Sequence, residues 1–396
     1  MVERRPGLGV WLLATGQTLG YACLFYSFAA LILSMETDLG WDKRLFALGP
    51  MLAIGISAVL APFVGRLVDA GRGQSLLVGG AVLGGLALFG LSQARVPGHY
   101  LAAWAVIGIA QSACLYEAAF AYLVRRYGVA ARARIIRVTL IAGFASTLAF
   151  PAGAALAEAF GWRVAILVAA VVMLFGAAPL HLLGCWIIRA ETVLEVDEAS
   201  GKGFVAQVLR RPVFWGLAGL FGLVGLNHWI LISFLVPLLV AMGVSHGWAV
   251  LAASVVGPCQ TLGRFALMRL EARIGTAQAI GWTLAMLLGA SALLAMAGIA
   301  PMAIFGFAAL QGAAMGIMTI LRPALVAESL GRVHFGAISG MLSISSLGAS
   351  AVAPLVAATL FETAGPAGMI GASFAMALGA LGLARWVLRA ESGRAA

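Results

Sequence analysis

The stretch RAETVLEVDEASGKGFVAQVLRR, residues 189–211, decides the fold, because it is the longest polar segment in a chain that is otherwise almost continuously apolar. Of 396 residues, 62% are hydrophobic and 10% are charged, and the mean hydropathy is +1.03. Soluble domains lie far from that composition. On each side of the polar segment stand six apolar stretches, each long enough to cross a bilayer core of about 30 Å. They run 9–33, 44–65, 74–94, 100–124, 135–159 and 164–188 before it, and 212–241, 247–267, 276–298, 302–327, 334–358 and 366–389 after it. Outer-membrane strands would be about ten residues long and would alternate polar with apolar. The expected fold is therefore all-α: an integral membrane protein of twelve transmembrane helices. Its domains are a six-helix bundle at 1–188, a central loop at 189–211 and a second six-helix bundle at 212–396. The end of the loop, with Phe204, Val205, Val208 and Leu209 beside Arg210 and Arg211, reads as a short interfacial helix.

Charge placement fixes the expected orientation. With the amino terminus inside, only Lys43, Arg44, Arg95 and Arg163 of the 25 basic residues fall outside, which satisfies the positive-inside bias. Both termini are then cytoplasmic. The net charge of +10 follows from this topology and gives no reason to expect nucleic acid, since the arginines are dispersed over seven segments. Their expected partners are membrane lipids of anionic type. The first stretch is too long for a signal-peptide core. The excess of Arg over Lys points to a GC-rich bacterial genome, hence to the inner membrane. The four cysteines, Cys23, Cys114, Cys185 and Cys259, lie far apart inside apolar stretches, so neither disulfides nor a CxxC site are indicated.

The two halves resemble each other. YSFAALIL (26–33) matches ISFLVPLL (232–239) at an offset of 206, PFVGR (62–66) matches CQTLGR (259–264), and FPAGAALAEAFG (150–161) matches APLVAATLFETAG (353–365). Parallel repeats of this kind mark transporters built around a midplane site. Twelve spans, a central loop and GRLVDAGRG (65–73) together resemble the major facilitator superfamily over the whole chain. That resemblance implies two pseudo-symmetric bundles and a cytoplasmic gate at Gly65 and Asp69, with a shortened basic end at Arg72; Arg66 after Gly65, and Arg264 after Gly263 in the second-half copy, read as gate residues or as positive-inside anchors. Ala70 stands where the family has Arg. The drug/proton branch's Arg in span four is replaced by AAWAVIG (102–108), and its span-five signature by ASTLAFPAG (145–153). FYSFAALI (25–32), LGWDK (39–43) and FGWR (160–163) are similar instead to monocarboxylate and oxalate/formate carriers.

The resemblance places spans 1, 4, 7 and 10, with 2, 5, 8 and 11, around the cavity. Glu117 lies eight residues before Arg125, about 12 Å from the end of span four, and Arg322 lies nine before Gly331, about 13.5 Å from the end of span ten. Spans four and ten are repeat counterparts, so the two charges are expected at similar depth in opposite halves. Each costs about 3 kcal/mol alone in a membrane, which makes both functional candidates. The expected reading is a charge pair across the cavity, in which Arg322 binds an anionic group or clamps Glu117 and Glu117 loads and releases a proton; a permanent ion pair, or two residues satisfied separately, is the bland alternative. His228 and Asn227 in span seven, with Tyr21 and Gln17 in span one, are further candidates for substrate or proton contact, against simple interhelical hydrogen bonds. Gln111 and Gln260 are weaker ones, and His181 reads as structural. Ser339, Ser343, Ser346 and Ser350 share one face of span eleven, a spacing that also serves close packing. Cys23, Cys114 and Cys259 fall on cavity-type spans, where thiols suit soft ligands such as trivalent arsenic or act as small buried residues.

No nucleotide-binding loop and no HExxH metal motif is present, and the glycines of GGAVLGGLALFG (79–90) lie inside span three without a preceding strand. An enzyme, a metal centre and a resident cofactor are not expected. The expected function is secondary active transport of a small solute, an organic anion first, coupled to protons or a counter-ion, by a monomer. Efflux of a toxic compound and a transporter-like sensor are the alternatives.

Overall fold

The computed structural model describes residues 7–191, 204–270 and 273–395, and among them every regular element is helical. Part of the central polar stretch, residues 192–203, lies outside the described residues. The helices are α1 (Leu8–Tyr21), α2 (Ser27–Leu39), α3 (Lys43–Leu67), α4 (Gly73–Ser92), α5 (Pro97–Cys114), α6 (Tyr116–Tyr127), α7 (Ala131–Ala142), α8 (Ala145–Phe160), α9 (Trp162–Val172) and α10 (Ala178–Glu191). After the central stretch come α11 (Phe204–Arg210), α12 (Pro212–Ala241), α13 (His246–Leu270), α14 (Thr276–Ala295), α15 (Ala303–Leu330) and α16 (Phe335–Ala395). The short helix expected from the end of the polar stretch is α11, with Val208 buried.

Apolar backbone in a bilayer must satisfy its own N–H and C=O groups, and a helix does so within one segment. Nine helical segments among the described residues are long and apolar enough to cross a membrane. The chain is a multi-pass membrane protein. Twelve crossings are expected from the sequence, yet three segments are far longer than one crossing requires. Arg44–Ser92, Pro97–Phe160 and Phe335–Ala390 hold 49, 64 and 56 residues, or about 74, 96 and 84 Å at 1.5 Å per residue. Each contains a glycine at positive φ, Gly71, Gly128 and Gly365 respectively, the backbone region that L side chains avoid. At each of these glycines the backbone departs from helical geometry, and each lies between two of the apolar stretches read from the sequence.

Two compact units emerge. One comprises Met1–Lys202 with Arg332–Met341, the other Gly203–Gly331 with Leu342–Ala396. The ten residues Arg332–Met341 thus group with the first unit although they follow the tenth apolar stretch. Each unit has a core of its own. In the first, Tyr100 is fully buried and donates to the carbonyl of Phe46 at 2.7 Å, and Trp41, Phe46 and Trp104 pack around it. In the second, Leu231, Leu235, Leu294 and Phe307 close an all-aliphatic and aromatic core.

Lipid is as apolar as leucine, so helices associate through close packing at small residues. The sequence GAAMG (312–316) in α15 shows this: a Cβ on Gly312 would collide with the carbonyl of Val256, and one on Gly316 with the backbone of Gln260, both on α13. Gly281 on α14, by contrast, faces open space. We expect Gly316→Leu to lower the thermal unfolding temperature of the purified protein by a shift equivalent to at least about 1–3 kcal/mol. Gly281→Leu should leave it unchanged, and equal losses in both variants would refute this packing account.

Candidate functional site

In the first unit the fourth apolar stretch is interrupted, where a continuous helix over 100–124 is expected from sequence. Leu115 is extended, at φ −90° and ψ −164°, so α5 stops at Cys114 and α6 begins at Tyr116. An interruption frees carbonyls at the end of one helix and amides at the start of the next. Residues one turn apart on the first stretch meet both needs. The Gln17 side-chain amide, fully buried, donates from Nε2 to the carbonyl of Cys114 at 2.6 Å. Tyr21 lies against Tyr116, the first residue of α6, with its hydroxyl close enough to the Tyr116 backbone to interact with it. One turn further along, the first stretch widens into a π-helical turn, Ala22–Tyr26. There Gln111 Nε2 donates to the carbonyl of Leu24 at 2.8 Å.

Glu117 occupies the first turn of α6, where orphan amides and the helix dipole favour a negative charge. Its carboxylate lies close enough to act electrostatically on Tyr21. Aromatic rings gather beside it: Tyr21 and Tyr116 have centroids 4.3 Å apart, Tyr116 stacks on Phe120 at 4.7 Å, and Phe25 and Tyr26 adjoin Tyr21. Glu117, Tyr21, Phe25, Tyr26 and Tyr116 are all half-buried. The structure therefore brings Gln17, Tyr21 and Glu117 together, with Gln17 serving the backbone break. His181 is fully buried. Its Nδ1 lies 3.1 Å from the carbonyl of Leu77 and its Nε2 lies 3.2 Å from Gln17 Nε2. A carbonyl only accepts, so Nδ1 carries the proton and Nε2 accepts from Gln17, which fixes a neutral imidazole.

At the turn between α3 and α4, outside the apolar stretches, Asp69 accepts from the amide of Gly336 at 2.9 Å through Oδ1 and from that of Ala337 at 2.8 Å through Oδ2. These are second- and third-position amides of α16, so the carboxylate caps that helix within the first unit. Burial pushes the Asp69 carboxyl above its ordinary range, while the two amides and the charges of His334 and Arg125 pull it back. The crossing requires bare backbone: a Cβ on Gly65 would collide with Gly336. Arg66 is turned onto its own helix, Nε 3.4 Å from the Pro62 carbonyl and the guanidinium 4.7 Å over Phe63.

In the second unit Arg322 is held by two hydroxyls of α16. Nη1 donates to Ser346 Oγ at 2.8 Å and Nη2 to Ser343 Oγ at 2.7 Å, and the guanidinium lies 5.9 Å from the Phe221 ring centroid. The serine face read from the sequence is thus real, with Ser343 and Ser346 turned to Arg322, Ser339 buried, and Ser350 bonded to its own helix. Asn227 sits in a buried network instead. Its Nδ2 donates to the carbonyl and hydroxyl of Ser373 at 3.0 and 2.8 Å, and Gln311 Nε2 donates to its Oδ1 at 3.1 Å. Gln311 also lies 3.5 Å from His228 Nδ1, and Ser291 and Ser373 hydroxyls meet at 2.7 Å. Arg264 is buried, its Nε 3.4 Å from Thr319 Oγ1. Gln260 offers its backbone to Gly316.

Cys23 and Cys114 are buried in the first unit, and Cys259 is half-buried in the second. Among the described residues no three of His, Cys, Asp and Glu come together as a metal site. Sequence reasoning missed Leu115, Phe221, Gln311 and Ser373. A buried amide in FAALQGAAMG was a usable signal for Gln311, whereas ACLYE holds no Gly or Pro to announce the break at Leu115.

The Gln17 contact generates a test of stability. Gln17→Leu leaves the Cys114 carbonyl buried without its donor and should destabilise the purified protein by about 1–3 kcal/mol. Gln17→Glu keeps the shape but loses the amide donor and should do no better, as thermal unfolding in detergent will report.

A sequence model of the Major Facilitator Superfamily matches residues 13–309, more than half of the chain. No curated protein matches the sequence. Among solved structures, the chain is similar to the Major Facilitator Superfamily transporter FucP in its outward conformation, with a TM-score of 0.73 and 16% identity, over 96% of this chain and 98% of that one. A single-residue variant of the Escherichia coli fucose:proton symporter FucP is similar at the same TM-score, 15% identity and the same coverage. At such identities these structures speak for the fold, and the sequence match speaks for the family. The chain belongs to the major facilitator superfamily of membrane transporters.

Proposed function

We propose that the protein is a secondary active transporter that couples protons to the movement of a small organic anion by alternating access. The observation that carries the reading is that each unit holds a half-buried ionisable side chain within an apolar stretch, Glu117 in one and Arg322 in the other. Such groups are costly in a membrane and mark ion and substrate pathways. Arg322 holds the anion: Ser343 and Ser346 orient its guanidinium, a fork whose geometry matches a carboxylate. Glu117 loads and releases the proton, in a turn whose amides stabilise the charged form and whose aromatic neighbours suit the neutral one. Tyr21 is the polar partner of both states. His228 and Asn227 stand behind the site, joined through Gln311.

Twelve crossings complete the reading, nine segments of which three cross twice, in two six-helix halves with both termini cytoplasmic in a bacterial inner membrane. Gly65 and Asp69 form the cytoplasmic gate, which opens when the carboxylate releases the α16 amides. A monomer suffices, since each half supplies its own core. A second reading, transport of a neutral polyol or sugar, is favoured by the aromatic wall of Tyr21, Phe25, Tyr26 and Tyr116 beside Glu117, together with the likeness to a fucose:proton symporter.

Proteoliposome uptake of labelled formate, oxalate, lactate and L-fucose under an imposed pH gradient discriminates these readings. With Arg322→Ala, KM for the transported anion should rise about 10- to 100-fold, the loss of one charge-assisted contact, and Arg322→Lys should recover part of it. With Glu117→Gln, the response to the pH gradient should vanish while exchange of substrate at equal pH persists. Wild-type rates and pH response in both variants would sink the proposal, and transport of fucose alone would select the second reading.

A further inference from the structure

The loop after α6 and the start of α7 read RRYGVAARARIIR over residues 125–137, five arginines without an acidic residue. In the first unit Arg134 and Arg137 lie by Tyr127, and Arg126 and Arg189 lie by Tyr122 and Cys185. The Arg134 guanidinium lies 5.1 Å over the Tyr127 ring, and its Nη1 reaches back to the carbonyl of Ala130 at 3.5 Å. Arg126 lies 5.7 Å over Tyr122, whose hydroxyl donates to the carbonyl of Cys185 at 3.1 Å. Arg137 acts electrostatically with Arg134 on the Tyr127 phenol, while Arg126 and Arg189 both act on Cys185. Two carboxylates adjoin the cluster. Asp69, which feels Arg125, is already committed to the amides of Gly336 and Ala337. Glu191 acts on Tyr127.

An arginine that merely anchors a membrane helix extends its head into water. Here the Nε atoms of Arg125, Arg126 and Arg134 and the hydroxyl of Tyr127 are buried, and none has a hydrogen-bond partner among the described residues. Buried donors left unsatisfied are costly, charged ones more so, so four of them within the ten residues 125–134 point to an acceptor with several oxygens and negative charge. Nε and one Nη form the edge of the guanidinium fork that pairs with two oxygens of a carboxylate or phosphate. A basic cluster beside the cytoplasmic ends of apolar helices is where anionic headgroups lie.

We propose that Arg126, Arg134 and Arg137, with Tyr127, form a binding site for a phosphate group, presented by an anionic phospholipid headgroup at the cytoplasmic face. The two non-bridging oxygens of a phosphodiester accept from the arginine edges, and the Tyr127 hydroxyl supplies a further donor. The leaflet follows from the orientation in the proposed function; the site itself does not depend on what is transported. Native mass spectrometry of the full-length protein, after exchange into mixed phosphatidylglycerol and phosphatidylcholine, reads the site directly. Retention of phosphatidylglycerol over phosphatidylcholine should fall about tenfold in Arg134→Gln/Arg137→Gln, the equivalent of one charge-assisted contact. It should be unchanged in Arg385→Gln/Arg389→Gln, which removes two exposed arginines of α16. Tyr127→Phe, which deletes one hydroxyl, should lose about threefold and serves if the double variant does not purify. Equal retention in wild type, Arg134→Gln/Arg137→Gln and Tyr127→Phe overturns the proposal, as does an equal loss in the Arg385/Arg389 control. Inorganic phosphate added in place of lipid separates the sources: arginine-dependent retention of phosphate without preference for phosphatidylglycerol keeps the phosphate site but assigns it to a soluble ligand.

Discussion

Backbone amides and carbonyls inside a bilayer have no water to fall back on, and this constraint governs the interruption at Leu115. Breaking one ladder in mid-crossing strands groups on both sides of the break, each worth several kcal/mol if left bare in hydrocarbon. The first stretch supplies the remedy from a single helical face. Gln17 and Tyr21 are four residues apart, hence one turn, and they meet Cys114 and Tyr116 respectively. The break is affordable only because its neighbour carries polar side chains at that spacing. Its product is a helix that begins inside the membrane, with Glu117 in the first turn.

The same constraint orders the other polar groups. Asp69 gives its two oxygens to the first free amides of α16, so a charge and a helix end that would each be unfavourable alone are satisfied together. Asn227, Gln311, Ser373 and Ser291 link four helices of the second unit through amide and hydroxyl groups only. They introduce no net charge. Arg322 differs in bringing a formal charge into an apolar stretch, and two hydroxyls of α16 fix the direction of its guanidinium.

The helical, membrane-spanning class was legible in the sequence because hydropathy and helical spacing act locally. The serines of span eleven show a face by their spacing alone, and GRLVDAGRG marks a turn by its glycines. Their partners were not legible. Arg322 is 21 and 24 residues from the serines it meets, and Asp69 is 267 and 268 residues from the amides it caps. Nothing in a local pattern ties such pairs. Leu115 escaped for another reason: an apolar, unbranched-at-Cβ residue has good helix propensity, and only the tertiary partners Gln17 and Tyr21 make its extended backbone tolerable. Helix continuity also differs from the twelve apolar stretches, since the three longest helical segments each run through a glycine at positive φ, Gly71, Gly128 and Gly365.

A carboxylate that cycles between two protonation states needs surroundings that commit fully to neither. Glu117 has helix amides and a tyrosine hydroxyl on its polar side and the rings of Tyr21, Tyr116 and Phe120 nearby. Helix amides alone would hold the charged form in every conformation, and a wholly apolar setting would hold the neutral form. The proton-loading role proposed for Glu117 therefore asks for a bias that comes and goes, as the arrival and departure of a transported solute would supply.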